Sequence, residues 1–388
     1  MVKIFVPIET ALGETRVAVT PETTKKLIEA GCEVAVARGA GDASHLSDAD
    51  YEAAGASIAN DSAAAWAAAN IVLKVREPQF SESLGKHEQE LCSHGSILVS
   101  HYMPSERLQD VRALQDAGVT CFSMNLVPRI SRAQRMDALS SQANIGGYKA
   151  VLLAAAALPR YFPLMMTAAG TVKPAKVVVM GAGVAGLQAI ATAKRLGAQV
   201  FATDVRMAVK EQVESLGAKF IDVPGMEDME DAGGYAKEAT EDFKRKQQEV
   251  VGNQIAVSDV VITTALIPGR KAPMLVPLEL VERMKPGSVI VDMAAAQGGN
   301  CAATVANETV SHSGVTVIGE TNLPATVSVH ASELYARNVL AFLIPTIKEG
   351  AVELDFEDEV IAGAAVTHAG EIKHQPTADA LAAEETTS

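Results

Sequence analysis

The feature that most constrains the fold is a glycine-rich turn between an apolar run and a helical pattern. The run KVVVM (176–180) is followed by Gly181, Gly183 and Gly186 within MGAGVAG, and then by LQAIATAKRLG (187–197). Glycines in this spacing allow a tight turn and a close approach of the helix to the strand. The segment is therefore predicted to be the first strand and helix of a parallel α/β sheet.

A strand–helix alternation runs through nearly the whole chain in two series. The first extends from KIFVPI (3–8) to VTCFSMN (119–125), and the second extends from residue 176 to VTVIGETNLP (315–324) with six strand candidates. Six parallel strands are typical of a Rossmann-type sheet. A chain of 388 residues is also long enough for two domains, each with its own core.

Long helical stretches flank the second series, at about 131–158 and about 329–348. They indicate that the chain leaves one domain, builds another and returns. We therefore predict an α/β fold of two Rossmann-like domains, each a doubly wound parallel sheet, with a cleft between them. The N-terminal domain is predicted to be discontinuous, with residues 1–135 completed by 328–388, while 136–327 form the second domain. The polar tail after about residue 371 is expected to fray.

Composition excludes several classes of partner. Lys and Arg number 33 against 47 Asp and Glu, a net charge of -14, so nucleic acid and anionic lipid would repel the chain. Prolines interrupt the most apolar segment (151–166), which falls short of the ~20 apolar residues needed to span a bilayer. The four cysteines match no metal-binding spacing, and no export signal begins the chain, so we expect reduced thiols, no metal and a cytoplasmic location.

The glycine turn also predicts a dinucleotide site. The turn would let backbone approach a pyrophosphate, and the N-terminus of the following helix would face it with free N–H groups. The next strand, AQVFATD, ends in Asp204, eighteen positions beyond Gly186, where a carboxylate can accept hydrogen bonds from the ribose of NAD. A 2′-phosphate would be repelled there, so NAD is predicted over NADP. Arg206 complicates this prediction, and its alternative interpretation is an exposed side chain at the pocket rim.

Several motifs together resemble one family. GETRVAVTPE (13–22), KVREP (74–78), the stretch 167–198, TTALIPGRKAP (263–273) and MKPGSVIVDMA (284–294) resemble the family shared by alanine dehydrogenase and the NAD(H)-binding component of proton-translocating transhydrogenase. The resemblance covers nearly the whole chain.

The segment 128–151 resembles the transhydrogenase branch in particular. The resemblance implies that Arg129, Gln134, Asp137 and Ser140 present the nicotinamide for hydride transfer, with Arg135 and Met136 also in contact. Amide and hydroxyl groups suit the nicotinamide carboxamide, and positioned side chains can fix a geometry for transfer. From the residues alone, an amphipathic helix that carries these side chains on its polar face remains open.

The same resemblance implies further nucleotide contacts. Val184, Ala185 and Gly186 would meet the pyrophosphate, Asp204, Val205 and Arg206 would meet the adenosine ribose, and Leu266 would form part of the pocket wall. Residues around Gly234, Tyr235 and Gln247 would form a mobile loop that closes on the nucleotide.

The alanine dehydrogenase branch is the main alternative, since Arg16 and Lys74 match its substrate residues. However, Ala296 stands where that branch has an Asp before Gln-Gly-Gly, and His101 lies in a different setting. Without the acid, amino-acid oxidation lacks a recognisable proton acceptor. A non-catalytic NAD-binding module is a third hypothesis.

The transhydrogenase resemblance implies that NADH donates its hydride directly to NADP+ held on a partner subunit. It further implies membrane-spanning subunits that couple transfer to proton translocation. The chain itself would be a homodimer at the cytoplasmic face of the inner membrane, held there through its partners without inserting into the bilayer.

Overall fold

A computed structural model describes residues 1–223, 241–266 and 271–387. The chain divides into two compact units. Unit 1 comprises Met1–Gln142 and Ala325–Ser388, and unit 2 comprises Ala143–Pro324. Each unit has its own sheet, so each is described by itself.

The N-terminal stretch of the chain alternates strands and helices as its sequence pattern predicts. The elements are β1 (Val2–Val6), α1 (Pro21–Glu29), β2 (Cys32–Ala37), α2 (Asp48–Ala53), β3 (Ser57–Ala59), α3 (Ser62–Ala68), β4 (Ile71–Leu73), β5 (Phe80–Ser81), β6 (Lys86–His87), β7 (Ile97–Ser100), α4 (Leu108–Asp116), β8 (Thr120–Ser123) and α5 (Ala138–Ala157). Local chemistry sets the ends of α1. Thr20 caps its first turn and Pro21 is its first residue. Gly31 follows its end with a φ of +89°.

Unit 2 continues with a hairpin and a second alternating series. Its elements are β9 (Met165–Thr167), β10 (Gly170–Val172), β11 (Lys176–Met180), α6 (Val184–Arg195), β12 (Gln199–Thr203), α7 (Lys210–Ser215), β13 (Lys219–Phe220), α8 (Glu241–Ala256), β14 (Val260–Thr263), α9 (Leu278–Glu282), β15 (Val289–Asp292), β16 (Thr309–His312) and β17 (Val315–Ile318).

The chain then returns to unit 1. The returning elements are α10 (Ser328–Leu343), β18 (Ile347–Lys348), β19 (Ala351–Val352), α11 (Glu359–Ala364), β20 (Ala365–His368), β21 (Glu371–Ile372) and α12 (Gln375–Thr387). The expected fraying of the tail is wrong over α12, which is a regular helix.

The sheet of unit 1 has the order β21-β20-β8-β7-β4-β1-β2-β3. Its six N-terminal strands are parallel, and β20 from the returning segment adds antiparallel to β8. The apolar side chains of these strands pack with those of α1, α4 and α10 into one core. The discontinuous chain therefore completes a single sheet.

The sheet of unit 2 has the order β13-β12-β11-β14-β15-β17-β16. Its first six strands are parallel in the order that defines a Rossmann sheet, so the predicted fold class is confirmed. Two apolar clusters cover the two faces, which explains the continuous apolar runs of β11, β14 and β15. The antiparallel edge strand β16 was not among the six predicted strands.

The predicted helix from about residue 131 to 158 is broken. Ser131–Met136 form a 3-10 helix, and α5 begins at Ala138. Within 1–223, 241–266 and 271–387, no helix has the length and apolarity that a bilayer crossing demands.

Candidate functional site

Two of the three glycines in the turn after β11 have no room for a side chain. Gly181 has a φ of +99°, and a Cβ on it would lie 2.4 Å from Thr264 Oγ1. A Cβ on Gly186 would lie 1.9 Å from the carbonyl oxygen of Gly181. The first glycine thus makes the turn, and the third lets α6 pack directly on the turn.

Gly183 differs from its neighbours because its surroundings are open. A Cβ on it would meet a single atom within 4 Å among the described residues, Arg206 Nη2 at 3.9 Å. Gly183 is also the N-cap of α6, and it carries no capping side chain. Val184, the first residue of the helix, is 43% exposed, and Ala185 follows it half-buried. Open space before a bare helix N-terminus fits a phosphate group.

Asp204 follows the end of β12 and reaches back to the turn. Its Oδ2 accepts hydrogen bonds from the backbone N of Ala182 (2.7 Å) and from Arg206 Nη2 (2.9 Å), and its Oδ1 accepts from Arg206 N and Nε (both 2.9 Å). Burial alone would raise the pKa of Asp204, but the bonds from Arg206 and Ala182 bring it below its ordinary value. Asp204 is therefore a carboxylate at neutral pH, beside the turn.

Arg206 is not the rim side chain of the alternative interpretation. Its side chain is 16% exposed and bound to Asp204, with its guanidinium directed toward Gly183. The sequence could not show this pairing, because the partners are two positions apart in an irregular segment. Val205, between them, packs on the cluster that covers one face of the sheet.

Side chains that the sequence analysis missed connect the turn to the loops after β14 and β15. Thr264 Oγ1 donates to the carbonyl groups of Met180 and Gly181 (3.2 and 3.1 Å). The side chain of Asn300 holds the backbone of Ala265. Its Oδ1 accepts a hydrogen bond from Ala265 N (3.1 Å), and its Nδ2 donates to Ala265 O (2.9 Å). Leu266, the predicted wall residue, follows Ala265 and is 42% exposed.

The buried carboxylate of Asp292 fixes the loop after β15. It accepts hydrogen bonds from Thr263 Oγ1 (2.9 Å), Asn300 N (2.8 Å) and Thr304 Oγ1 (2.6 Å). Asp292 thereby supports Asn300, which supports the segment that contacts Gly181. A polar residue at the end of β15 was the available signal for this network.

Unit 1 carries the residues predicted to present nicotinamide, in the 128–137 loop. The side chains of Arg129, Gln134 and Arg135 are exposed, whereas Met136 is half-buried against the core of unit 1. The loop therefore projects polar groups outward from an anchored backbone.

Asp137 and Ser140 are brought together, and they bind each other. Asp137 Oδ1 accepts from Ser140 N (2.8 Å), and its Oδ2 accepts from Ser140 Oγ (2.6 Å). This is the capping arrangement of a helix N-terminus, and it explains why α5 begins at Ala138. Both residues consequently set the end of the loop.

The mobile-loop prediction concerns Gly234, Tyr235 and Gln247. Gly234 and Tyr235 lie outside the described residues, as does the side chain of Gln247.

The residues that match alanine dehydrogenase are buried in unit 1 among carboxylates. Arg16 makes a two-point ion pair with Glu14 through Nε and Nη2 (both 2.7 Å). Lys74 Nζ lies 3.2 Å from Glu9 and 3.0 Å from Glu88. Both cations are thus already neutralised by the chain itself.

His101 is buried beside them, with its ring 4.8 Å from that of Tyr335 and its Nδ1 2.5 Å from Asn125 Oδ1. Burial, with a smaller effect of the Arg16 charge, lowers the pKa of His101 to about 3. The ring is therefore neutral at physiological pH. Ala296, in a 3-10 helix after β15, has no acidic side chain.

Family descriptions match both halves of the chain. The alanine dehydrogenase/PNT N-terminal domain matches residues 5–146, and the alanine dehydrogenase/PNT C-terminal domain matches residues 150–375. A protein from Rhodospirillum rubrum, described as the first part of NAD(P) transhydrogenase subunit alpha, is 50% identical over 376 residues, which are 96% of this chain and 98% of the relative.

Solved structures agree with these matches. The crystal structure of transhydrogenase from Sinorhizobium meliloti has a TM-score of 0.86 and 45% identity, covering 95% of this chain and 99% of the other. An L-alanine dehydrogenase has a TM-score of 0.81 and 27% identity, covering 98% and 99%.

Proposed function

Since this chain belongs to the alanine dehydrogenase/PNT family, we propose that it is the NAD(H)-binding subunit of a proton-translocating NAD(P) transhydrogenase. The observation that carries the proposal is the contrast among the three glycines. At Gly181 and Gly186, the protein's own atoms occupy the space where a side chain would lie. At Gly183 this space is open, directly before the uncapped N-terminus of α6. This cradle fits the pyrophosphate of a dinucleotide.

The reaction moves a hydride from the dihydronicotinamide of NADH to the nicotinamide of NADP+ on a partner subunit, giving NAD+ and NADPH. No proton acceptor is required, so the chain supplies binding and orientation. Gly183, Val184 and Ala185 would hold the pyrophosphate, and Asp204 would accept from the ribose hydroxyls. The exposed side chains of the 128–137 loop would orient the nicotinamide.

Asp204 supports NAD(H) as the nucleotide of this subunit and NADP(H) as that of the partner. A ribose hydroxyl can replace one of the donors that Arg206 now supplies, because the lone pairs of a carboxylate favour any donor. A 2′-phosphate brings no donor and adds negative charge beside the carboxylate.

The hairpin of β9 and β10 supports the homodimer. All six of its residues are exposed, and the apolar side chains of Leu164 and Met166 are 53% and 76% exposed. A lone two-stranded hairpin is marginally stable in water, and an exposed apolar patch favours association. Membrane-spanning partners would hold the dimer at the cytoplasmic face of the inner membrane and couple transfer to protons.

The test compares substrates. NADH oxidation is measured with an NADP analogue after an NADP-binding transhydrogenase subunit is added, and separately with pyruvate plus ammonia. We expect oxidation in the first assay. Oxidation in the second assay would establish an amino-acid dehydrogenase instead, and NADH binding without oxidation in either would establish a binding module.

A further inference from the structure

The 128–137 loop contacts α10 and α11, which belong to the segment that returns to unit 1 after unit 2. Its flank Pro128 packs on α11, where a Cβ on Gly363 would lie 3.3 Å from Pro128 Cδ. Ala133, in the middle of the loop, is buried in unit 1. The exposed side chains of the loop therefore stand on a backbone whose position other elements determine.

A buried amide provides the first tether. Asn338 lies in the middle of α10, is 6% exposed, and donates from Nδ2 to the backbone carbonyl of Arg135 at 2.8 Å. Arg135 directly follows Gln134. A hydrogen bond from a buried side chain at this point fixes the distance between the loop backbone and α10.

A two-point ion pair provides the second tether. Arg132 Nη1 and Nη2 donate to Asp358 Oδ2 and Oδ1 at 2.8 and 2.6 Å. Asp358 is in turn held at the N-terminus of α11, where its Oδ1 accepts from Val360 N at 2.7 Å. Arginine in this fork geometry fixes direction as well as distance.

These tethers act on the residues immediately before and after Ala133 and Gln134. We propose that Asn338 and Asp358 are positioning residues for hydride transfer, which act through the 128–137 loop without touching the nucleotide. The inference rests on the proposed function, in which this loop orients the nicotinamide. An exposed ion pair contributes little to the stability of the folded protein. Loss of the Asp358 carboxylate is therefore expected to change the geometry of the 128–137 loop.

The test uses Asp358→Asn, because asparagine keeps the capping oxygen for α11 and loses the charged pair with Arg132. The matched control is Glu22→Gln. It breaks ion pairs of similar exposure in the same unit, between Glu22 and Arg337 at 2.8 Å and between Glu22 and Lys26 at 2.7 Å. Arg337 precedes Asn338 on α10. Single-turnover hydride transfer to an NADP analogue on the partner subunit is measured beside an NADH titration.

We expect Asp358→Asn to slow transfer roughly tenfold with NADH affinity changed less than about twofold, since small displacements at reacting atoms are costly. Glu22→Gln should change neither. Arg132→Gln should reproduce Asp358→Asn, and the double variant should be no slower than either single one, because both remove one tether. Asn338→Leu should slow transfer in the same way and multiply the effect of Asp358→Asn.

Hydrogen exchange gives a readout that does not depend on activity. Amides of the 128–137 loop should exchange faster in Asp358→Asn than in Glu22→Gln. Transfer and exchange equal in the two variants would overturn the proposal, as would a parallel loss of rate and affinity. If the wild type transfers no hydride, the proposed function fails, and the exchange comparison alone decides whether the tethers hold the loop.

Discussion

Replacing Asp204 by Asn should reverse the choice between NADH and NADPH. The asparagine oxygen can keep the bond to Ala182 N, so the glycine turn should retain its shape. The bonds from Arg206 Nε and Arg206 N are lost, because the amide nitrogen takes the place of the oxygen that accepts them. Arg206 Nη2 keeps a bond to the remaining oxygen, but that oxygen no longer carries a charge. The substitution thus removes a carboxylate and loosens the guanidinium that was paired with it.

The loss of the carboxylate and the loss of its pairing with Arg206 both change the ratio of NADH affinity to NADPH affinity in the same direction. Loss of a charge-assisted bond to the ribose costs about 1.5–3 kcal/mol, or roughly 10- to 100-fold in NADH affinity. Arg206, without its carboxylate partner, can pair with a 2′-phosphate, a charge-assisted contact of similar size, which raises NADPH affinity. We therefore expect the NADH/NADPH preference to change by ~100-fold or more.

Equilibrium titrations of both nucleotides measure this ratio in the wild type, in Asp204→Asn and in Asp222→Asn. Asp222 is the control, because it pairs with Lys210 in the same unit but is 62% exposed. A wild type that binds both nucleotides equally would refute the reasoning. So would an unchanged ratio in Asp204→Asn, or an equal change in Asp222→Asn.

Three other predictions concern separate regions of the chain. Gln134→Asn should slow single-turnover transfer by up to ~100-fold while NADH affinity changes little, and equal losses would contradict the orienting role. Gly186→Ala should abolish NADH binding, since its Cβ would lie 1.9 Å from Gly181 O. The control is Gly252→Ala in α8, whose Cβ would make ordinary contacts from 3.5 Å. This variant should bind NADH normally and be stabilised by about 1 kcal/mol. The folded-state pKa of His101 is lowered from 6.5 to about 3, so its contribution to stability is present above pH 6.5 and should fall by about 2 kcal/mol at pH 5; urea unfolding of His101→Gln should lack this fall, and an identical pH profile would exclude His101 as its source.

Local signals were sufficient to predict the glycine turn that is proposed to hold the nucleotide. The glycines, the apolar strand before them and the carboxylate after β12 lie within about thirty positions, and the turn depends on space that only glycine leaves at Gly181 and Gly186. The six parallel strands of unit 2 were predicted from the same strand–helix alternation. Strand β16 was missed because TVSH is short, half-exposed and pairs antiparallel at the edge.

The 128–137 loop shows where helical periodicity in the sequence misleads. Helical spacing continues through residues 131–158, so the sequence pattern predicts one helix. The break depends on Asp137, whose carboxylate is captured by Ser140 three positions later. This spacing is a known capping signal, and it was available in the sequence. By contrast, the end of unit 1 at Gln142, inside α5, depends on tertiary packing that no local pattern reports.

In the proposed function, nucleotide affinity and hydride-transfer geometry have different origins in this chain. The contacts proposed for affinity come from one short stretch, where strand, turn and helix are neighbours in sequence. The loop proposed for transfer depends on Asn338 and Asp358, which lie more than two hundred positions further along the chain. Such contacts form only when the chain returns to complete the first unit. Substitutions that slow transfer and spare binding should accordingly concentrate in the loop and in the returning segment, while those in the glycine turn should affect binding first.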